Sequence, residues 1–197
     1  MKLLALADRR ISESLPDLIE RESIELVLLL GDLKFIDICD LVDAKIPIIG
    51  VYGNHCISDY MAEIHAMNAH LKLCSVKGFN IFGFEGCPYY KGEDHEFSQE
   101  EANSLIGSNS PKCDILIAHS PASGINSSHQ APHQGFEALK QYLEVHSPKY
   151  FFHCHSYPPE SQKISRFNKT IIYWVSGAEV IDLELLAKGI FLKSQPY

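Results

Sequence analysis

The amino-acid sequence predicts an α/β protein built around a parallel sheet. Three short apolar runs, 3–7, 25–30 and 46–52, have the composition of buried strands. Between them, residues 12–22 and 34–42 repeat apolar side chains at helical spacing. Nearly continuous apolar strands that alternate with amphipathic helices are typical of βαβ units whose sheet is covered on both faces.

In the middle of the chain, the predicted alternation of strands and helices gives way to a hairpin. A helix is expected over 58–68, with Ser58 as its N-cap. Residues 71–75 and 79–84 flank a turn at 77–78 and predict a pair of strands. The second half therefore begins with an antiparallel hairpin.

The remaining elements follow from the same signals. The polar stretch 85–99 predicts a long loop, and Ser98 is placed to cap a helix over 99–106. A buried strand, an amphipathic helix and another strand come next, followed by four short strands (114–118, 135–146 and 149–152, then 164–167, 170–175, 178–183 and 189–193). With no internal repeat or linker, we expect a single domain over residues 1–197, parallel at first and then mixed or antiparallel. Two sheets packed face to face between helices would satisfy this pattern, although the pattern does not require them.

Composition narrows the class of protein. The formal net charge of −8 disfavours general attraction to nucleic acid or to anionic lipid. Six cysteines without a CxxC pair are typical of reduced thiols, so we expect a cytoplasmic protein. The first apolar run is too short for a signal peptide, and no run approaches the roughly 20 residues of a membrane helix. Oligomeric state has no signature in the sequence.

Polar residues collect at the ends of the predicted strands. Five strands are each followed directly by such residues, which are Asp8, then Asp32, Asn54 with His55, His119, and His153 with His155. Because the carboxyl ends of strands in an open α/β sheet meet in one crevice, these side chains are expected to converge. If the chain stays extended after the last strand, the side chains of His153 and His155 point to one side and that of Cys154 to the other.

The chemical type of this set indicates metal binding. Two carboxylates, an amide oxygen and three imidazoles suit Mn, Fe, Zn or Ni better than a cysteine-rich structural zinc site. Six ligands exceed what one catalytic ion takes from protein, but they match two divalent ions that share a bridging carboxylate, roughly 3.5–4 Å apart. Any one Asp or Gly-Asn pair taken alone is more often part of a turn or a helix cap. The metal-binding hypothesis therefore depends on the occurrence of such residues after all five strands.

The ordered set resembles the calcineurin-like metallophosphoesterase superfamily. That superfamily has five blocks, D-x-H, G-D, G-N-H-[DE], H and G-H-x-H. This chain has Asp8-Arg9-Arg10, Gly31-Asp32, Gly53-Asn54-His55-Cys56, His119 and Phe152-His153-Cys154-His155 in the same order. The match spans residues 8–155 and is similar to a branch whose first block lacks the histidine.

The resemblance implies a four-layer α/β/β/α sandwich with two mixed sheets, the metallo-dependent phosphatase fold. It also implies hydrolysis of a small phosphate ester, with a phosphodiester as the expected substrate, by in-line attack of a hydroxide that bridges two metal ions. One ion would be held by Asp8, Asp32 and His155, and the other by Asp32, Asn54, His119 and His153. His55 matches the catalytic histidine, which stabilises the transition state or protonates the leaving oxygen.

Three departures from the superfamily pattern bear on the site. Arg10 stands where many relatives have a histidine ligand; a guanidinium cannot coordinate a metal, but it can bind a phosphate. Cys56 replaces an acidic residue, and Phe152 replaces a glycine. His133, between His119 and the following helix, is a second candidate for lining the substrate pocket.

Other functions remain open at this stage. A scaffold or binding protein that keeps the phosphoesterase fold without catalysis is the main alternative. A serine or cysteine hydrolase has little support, because Ser120 lacks a G-x-S-x-G elbow and no cysteine has a nucleophile context. The chain also lacks the GxxxxGK[ST] motif of P-loop enzymes.

Overall fold

The structure is a computed structural model that describes residues 1–56, 59–107 and 110–190. Its strands are β1 (Lys2–Ala7), β2 (Leu26–Leu29), β3 (Ile48–Gly50), β4 (Met67–Asn68), β5 (Leu73–Val76), β6 (Phe79–Phe84), β7 (Cys87–Pro88), β8 (Glu96–Phe97), β9 (Ile115–Ala118), β10 (Tyr150–His153), β11 (Ile164–Phe167), β12 (Thr170–Trp174) and β13 (Gly177–Asp182). Its α-helices are α1 (Leu15–Glu22), α2 (Phe35–Ile38), α3 (Tyr60–Glu63), α4 (Gln99–Leu105), α5 (Glu137–His146) and α6 (Leu183–Ala187). Short 3-10 turns cover Cys39–Asp43, Ala131–His133 and Glu160–Gln162.

The strands form two large mixed sheets, which confirms the predicted α/β class. The first has the order β13-β1-β2-β3-β4, in which β1 to β4 are parallel and β13 is antiparallel. The second has the order β11-β12-β10-β9-β6-β5, in which the four central strands are parallel and the outer two antiparallel. β7 and β8 make a separate small pair.

Successive side chains of a strand point to opposite faces of its sheet, and the buried apolar residues accordingly form three clusters. Leu28 of β2 and Phe152 of β10 belong to one cluster that draws on both large sheets. The neighbouring Leu29 packs instead with α1 and α3, and Phe151 packs with α4 and α5. Each large sheet therefore buries both faces over its central strands, which explains why strands such as β2 and β9 are continuously apolar in sequence.

Helix ends follow the local sequence signals. Ser14 accepts a hydrogen bond from the backbone N of Asp17 and caps α1. Ser98 and Glu101 form a reciprocal capping box at the start of α4, as predicted for Ser98. The longest described helix, α5, has 10 residues, and no helix in the described ranges is long and apolar enough to cross a membrane.

Two of the predicted helices are shorter than their helical spacing indicates. The helix expected over 34–42 is one turn of α-helix, α2, followed by a 3-10 turn. The helix expected over 58–68 is reduced to the four residues of α3, because Met67 and Asn68 pair with β3 as the edge strand β4. Its proposed cap, Ser58, lies outside the described residues.

Two further predictions need correction. The loop expected over 85–99 contains the β7–β8 pair, which sequence signals did not indicate. At the carboxyl terminus the chain forms α6 after β13, and the described part of the strand expected over 189–193 is not a strand. Residues 191–193 of that segment lie outside the described part of the chain.

Candidate metal centre

The predicted site lies at the carboxyl ends of five parallel strands. Backbone hydrogen bonds join the segments that follow these strands, from Asp8 N to the Gly31 carbonyl and from Cys154 N to the His119 carbonyl. The Asp8 carboxylate Oδ2 also accepts a hydrogen bond from the backbone N of His155 at 3.1 Å, across the two sheets. The strand-end segments of both sheets are thus fastened to one another.

Three of the predicted ligands have left-handed backbone conformations. The φ angles are 59° at Asp8, 53° at Asp32 and 55° at His155. Non-glycine residues rarely adopt these angles, which cost on the order of 1–3 kcal/mol each and persist only where the surroundings enforce them.

His119 occupies the centre of the cluster and is completely buried. Its Nδ1 lies 2.8 Å from the Leu30 carbonyl, which can only accept, so Nδ1 carries the proton. Its Nε2 lies 3.0 Å from Asn54 Oδ1, 3.0 Å from His155 Nδ1 and 3.4 Å from Asp32 Oδ2. A metal-binding histidine usually donates from one ring nitrogen to a backbone carbonyl or carboxylate, which leaves the other nitrogen for the metal. His119 is held in the same way, with Nε2 facing other candidate ligand atoms.

Two acceptor oxygens beside His119 Nε2 favour positive charge there. Asn54 Oδ1 and Asp32 Oδ2 can only accept hydrogen bonds, so a lone pair on Nε2 would face two acceptors. Burial lowers the pKa of His119, but the carboxylates of Asp32 and Asp8 outweigh it and raise the pKa above its ordinary value. A proton can supply this charge in the bare protein, and a divalent cation satisfies the same atoms.

The two carboxylates differ in state. Burial raises the pKa of Asp32, but His119 and the hydrogen bond from the His55 backbone N to Oδ1 (2.8 Å) bring it down to about 2. Burial keeps the pKa of Asp8 above its ordinary value. Asp8 Oδ1 and His155 Nε2 are both buried without a hydrogen-bond partner in the described part of the chain. Unsatisfied buried ligand atoms beside an ionised carboxylate fit a metal-binding role.

The ligand atoms gather into two overlapping groups. In one, ligand atoms of Asp32, His119 and His155 lie within 4.8 Å of one another, and in the other those of Asp8, His119 and Cys154 do. Asn54 joins the first group through its contact with His119. Five of the six predicted ligands are therefore brought together, and Cys154 joins them, although sequence periodicity placed its side chain on the opposite side.

His153 lies apart from these two groups. Its Nε2 is 3.1 Å from Asn126 Nδ2 and its Nδ1 is 3.2 Å from the Cys154 carbonyl. The expectation that His153 and His155 point to one side assumed an extended chain. Strand β10 ends at His153, and the left-handed φ of His155 breaks the alternation. Burial lowers the pKa of His153 to about 4, so the ring is neutral at physiological pH.

Tyr90 and Cys56 position the predicted ligands. The sequence analysis did not identify this role for Tyr90, and it noted Cys56 only as a departure from the superfamily pattern. The Asn54 Nδ2 donates to Tyr90 OH at 3.3 Å, which directs Oδ1 towards His119. Cys56 Sγ accepts hydrogen bonds from the backbone N of Asp32 (3.3 Å) and of Gly53 (3.2 Å). The thiol thus links the segments after β2 and β3, where the superfamily pattern has a carboxylate.

Arg10 and His133, the two expected substrate residues, lie at the rim. The Arg10 side chain is 88% exposed, with Nε 3.6 Å from Asp37 Oδ1, and it lines a cleft with Asp8 and Asp32. The His133 ring centre is 4.9 Å from that of His155. His133 therefore contacts the predicted ligand cluster, whereas Arg10 is largely exposed and shares a cleft with it.

The stability of the metal-stripped protein is expected to rise with pH between about 4 and 6.5. Burial lowers the pKa of His153 to about 4 and that of His155 to about 3, from an unfolded value of 6.5. Each of these two histidines then binds more protons in the unfolded chain than in the folded one, so each contributes a positive slope of up to about 1.4 kcal/mol per pH unit, while Asp8, whose pKa is raised, contributes with the opposite sign. Urea unfolding at several pH values measures it, and His153→Gln should reduce the slope. A flat profile would contradict the burial of neutral imidazoles.

The comparisons with known proteins establish a shared fold alone. No family model and no curated protein matches the chain. TT1561 of Thermus thermophilus superposes with a TM-score of 0.60 at 15% identity, over 92% of this chain and 98% of its own. A hypothetical protein from the same organism gives 0.51 at 17% identity, over 88% and 75%. A further solved structure gives 0.63 at 13% identity, over 87% and 89%. The chain is therefore similar in fold to these three proteins.

Proposed function

We propose that this protein is a metal-dependent phosphoesterase that hydrolyses a small phosphate ester, with a phosphodiester as the preferred substrate class. The observation behind the proposal is the convergence of Asp32, Asn54, His119 and His155 on one point, with Asp8 beside them. The three apolar clusters support assignment to the four-layer α/β/β/α fold of metallo-dependent phosphatases.

The donor set fits two divalent cations drawn from Mn, Fe, Zn or Ni. Asp32, His119, His155 and Asn54 would hold one, and Asp8 lies where it could join Asp32 in holding the other. Bound cations of this kind supply a nucleophile near neutral pH and neutralise charge on the phosphoryl group. In the ligand-free chain Asp32 is ionised and His155 neutral, which is the protonation state that metal binding needs.

His55 is placed to act on the substrate. Its backbone N holds Asp32, while its side chain is exposed beside the cluster and has no hydrogen-bond partner in the described residues. An imidazole in this position can donate a proton or a hydrogen bond to a phosphate ester oxygen. The backbone and the side chain of His55 therefore serve separate purposes.

The test is hydrolysis by metal-stripped protein after Mn, Fe, Zn or Ni is added back. Release from bis-p-nitrophenyl phosphate but not from p-nitrophenyl phosphate would support a phosphodiesterase. Metal content measured on the same samples separates an empty site from an inactive one. Folded, metal-loaded protein that hydrolyses neither ester would favour a scaffold that keeps this fold.

His55→Ala is expected to lower turnover by roughly 10²–10⁴-fold, the typical contribution of a positioned acid or base. Metal affinity should stay within a few-fold of the unsubstituted protein, because alanine keeps the backbone N that binds Asp32. Steady-state kinetics and metal titration on the same preparation measure the two quantities. Loss of metal together with rate would contradict this division of roles.

A further inference from the structure

Glu85 extends the row of polar strand-end residues by one strand. It directly follows β6, which is parallel to β9, and the His119 backbone N donates to the carbonyl of Phe84 next to it. Only 9% of Glu85 is exposed. A carboxylate this buried requires a partner, and two histidines face it.

His95 is the closer of these partners. Its Nδ1 lies 3.1 Å from Glu85 Oε1, whereas His70 Nε2 is 3.8 Å away. The His95 ring also stacks on Tyr52, with centres 5.4 Å apart. A side chain at Gly86 would collide with the His95 carbonyl, so this glycine lets the loop close over the pair.

The loop that presents His95 is organised around Glu96. Glu96 Oε2 accepts hydrogen bonds from the backbone N of Tyr90, Lys91 and Gly92, at 3.0, 2.9 and 2.8 Å. The same loop delivers Tyr90 to Asn54. One loop therefore positions both His95 and the proposed ligand Asn54.

His95 faces a cleft beside the metal cluster. The cleft has a volume of about 830 Å³, and its lining residues are Tyr52, Asn54, Cys56, Asp59, Gly92, Glu93, Asp94 and His95. Three of these are acidic, and His95 is the one described lining residue that can become a cation. With Nδ1 committed to Glu85, the His95 Nε2 remains to serve a ligand in the cleft.

We propose that His95, held by Glu85, binds an anionic oxygen of the phosphate ester in the cleft beside Asn54. The inference rests on the proposed function, since it assigns a substrate-contacting residue to that same site. An anion that enters a cleft with acidic walls needs a local cation besides the metals. A carboxylate–imidazole pair provides that cation at a fixed position.

The charge of His95 depends on all the groups that face it. The hydrogen bond to Glu85, with a smaller contribution from Asp94, raises the pKa of His95 despite burial, while His119 opposes the rise. The pKa of His70, on the other side of Glu85, is lowered by burial, so His70 does not compete as the cation. Tyr52 contributes the flat face of its ring.

Binding of inorganic phosphate to metal-loaded protein, measured by calorimetry, tests the proposal without requiring turnover. His95→Gln should weaken phosphate binding by about 10-fold or more, the loss expected for a charge-assisted hydrogen bond. Metal content should not change. His65→Gln, at an exposed position, is the matched control and should bind phosphate normally.

Glu85→Gln is a second test variant, which keeps the proposal testable if His95→Gln does not fold. It keeps an acceptor for His95 Nδ1 but removes the charge, so phosphate affinity should decline at a lower pH than in the unsubstituted protein. Phosphate binding by folded, metal-loaded His95→Gln equal to that of His65→Gln, or a Glu85→Gln pH profile that does not move, would overturn the proposal. Absence of ester hydrolysis with His95-dependent phosphate binding would instead refute only the proposed function.

Discussion

Replacing Gly53 by alanine is expected to abolish tight metal binding. A Cβ at this position would lie 2.6 Å from His119 Cε1, 2.7 Å from Asp32 N and still closer to Asp32 Oδ1. Overpacking of this kind costs about 1–3 kcal/mol of folding free energy. Displacement of the proposed ligands Asp32 and His119 should lower metal affinity by about 100-fold or more. Loss of a group that only hydrogen-bonds to a metal ligand typically costs about 10–100-fold, so the expected effect is at or above the upper end of that range.

Gly107→Ala is the matched control for this substitution. A Cβ at Gly107 meets no atom within 4 Å. Its stability should change by no more than about 1 kcal/mol, and its metal affinity should be unchanged. Metal titration and thermal unfolding of both variants measure the contrast. If Gly53→Ala binds metal as Gly107→Ala does, Asp32 and His119 are not the ligands.

The strand-end residues could be predicted because the strands are unambiguous. β2 is apolar throughout and β1 is apolar from Leu3 to Ala7, since both faces of their sheet are buried, so their last residues are easily found in the sequence. Asp8 and Asp32 then follow by counting. The same rule applied to β6 identifies Glu85, the first residue of the loop predicted over 85–99.

The direction of the side chains could not be predicted in the same way. Whether His155 lies on the same side as His153 or as Cys154 is decided by the backbone after β10, where His155 has a φ of 55°. Histidine does not signal this conformation as glycine does, so periodicity gave the wrong side for Cys154. Local signals likewise favoured a helix where β4 forms, because pairing with β3 is a long-range interaction.

The roles of Cys56 and His95 depend on contacts between segments distant in sequence. Cys56 meets Asp32 across 24 positions and His95 meets Glu85 across 10. A lone cysteine or histidine in a polar loop carries no pattern that identifies its partner. The folded chain shows that Cys56 joins the segments after β2 and β3 and that His95 is held by Glu85.

Asp32→Asn is expected to remove both metal binding and turnover while the protein stays folded. Asparagine has the same shape and keeps an oxygen that can accept from the His55 backbone N. It lacks the charge that, after burial, most affects the pKa of His119. The loss of metal affinity should exceed the roughly 10–100-fold typical of outer partners. Metal titration and ester hydrolysis measure the two effects.

Asp43→Asn makes the same chemical change at an exposed position and should leave both quantities unchanged. The comparison separates a ligand effect from a general loss of negative charge, which is relevant in a protein of net charge −8. Because the Asp32 carboxylate raises the pKa of His119, Asp32→Asn should also let His119 release its proton at a lower pH, as NMR can follow in metal-stripped protein. An Asp32→Asn protein that keeps full metal affinity would show that the cation, if bound, is held elsewhere. Loss of affinity with an unchanged His119 titration would instead contradict the direct contact between the two side chains.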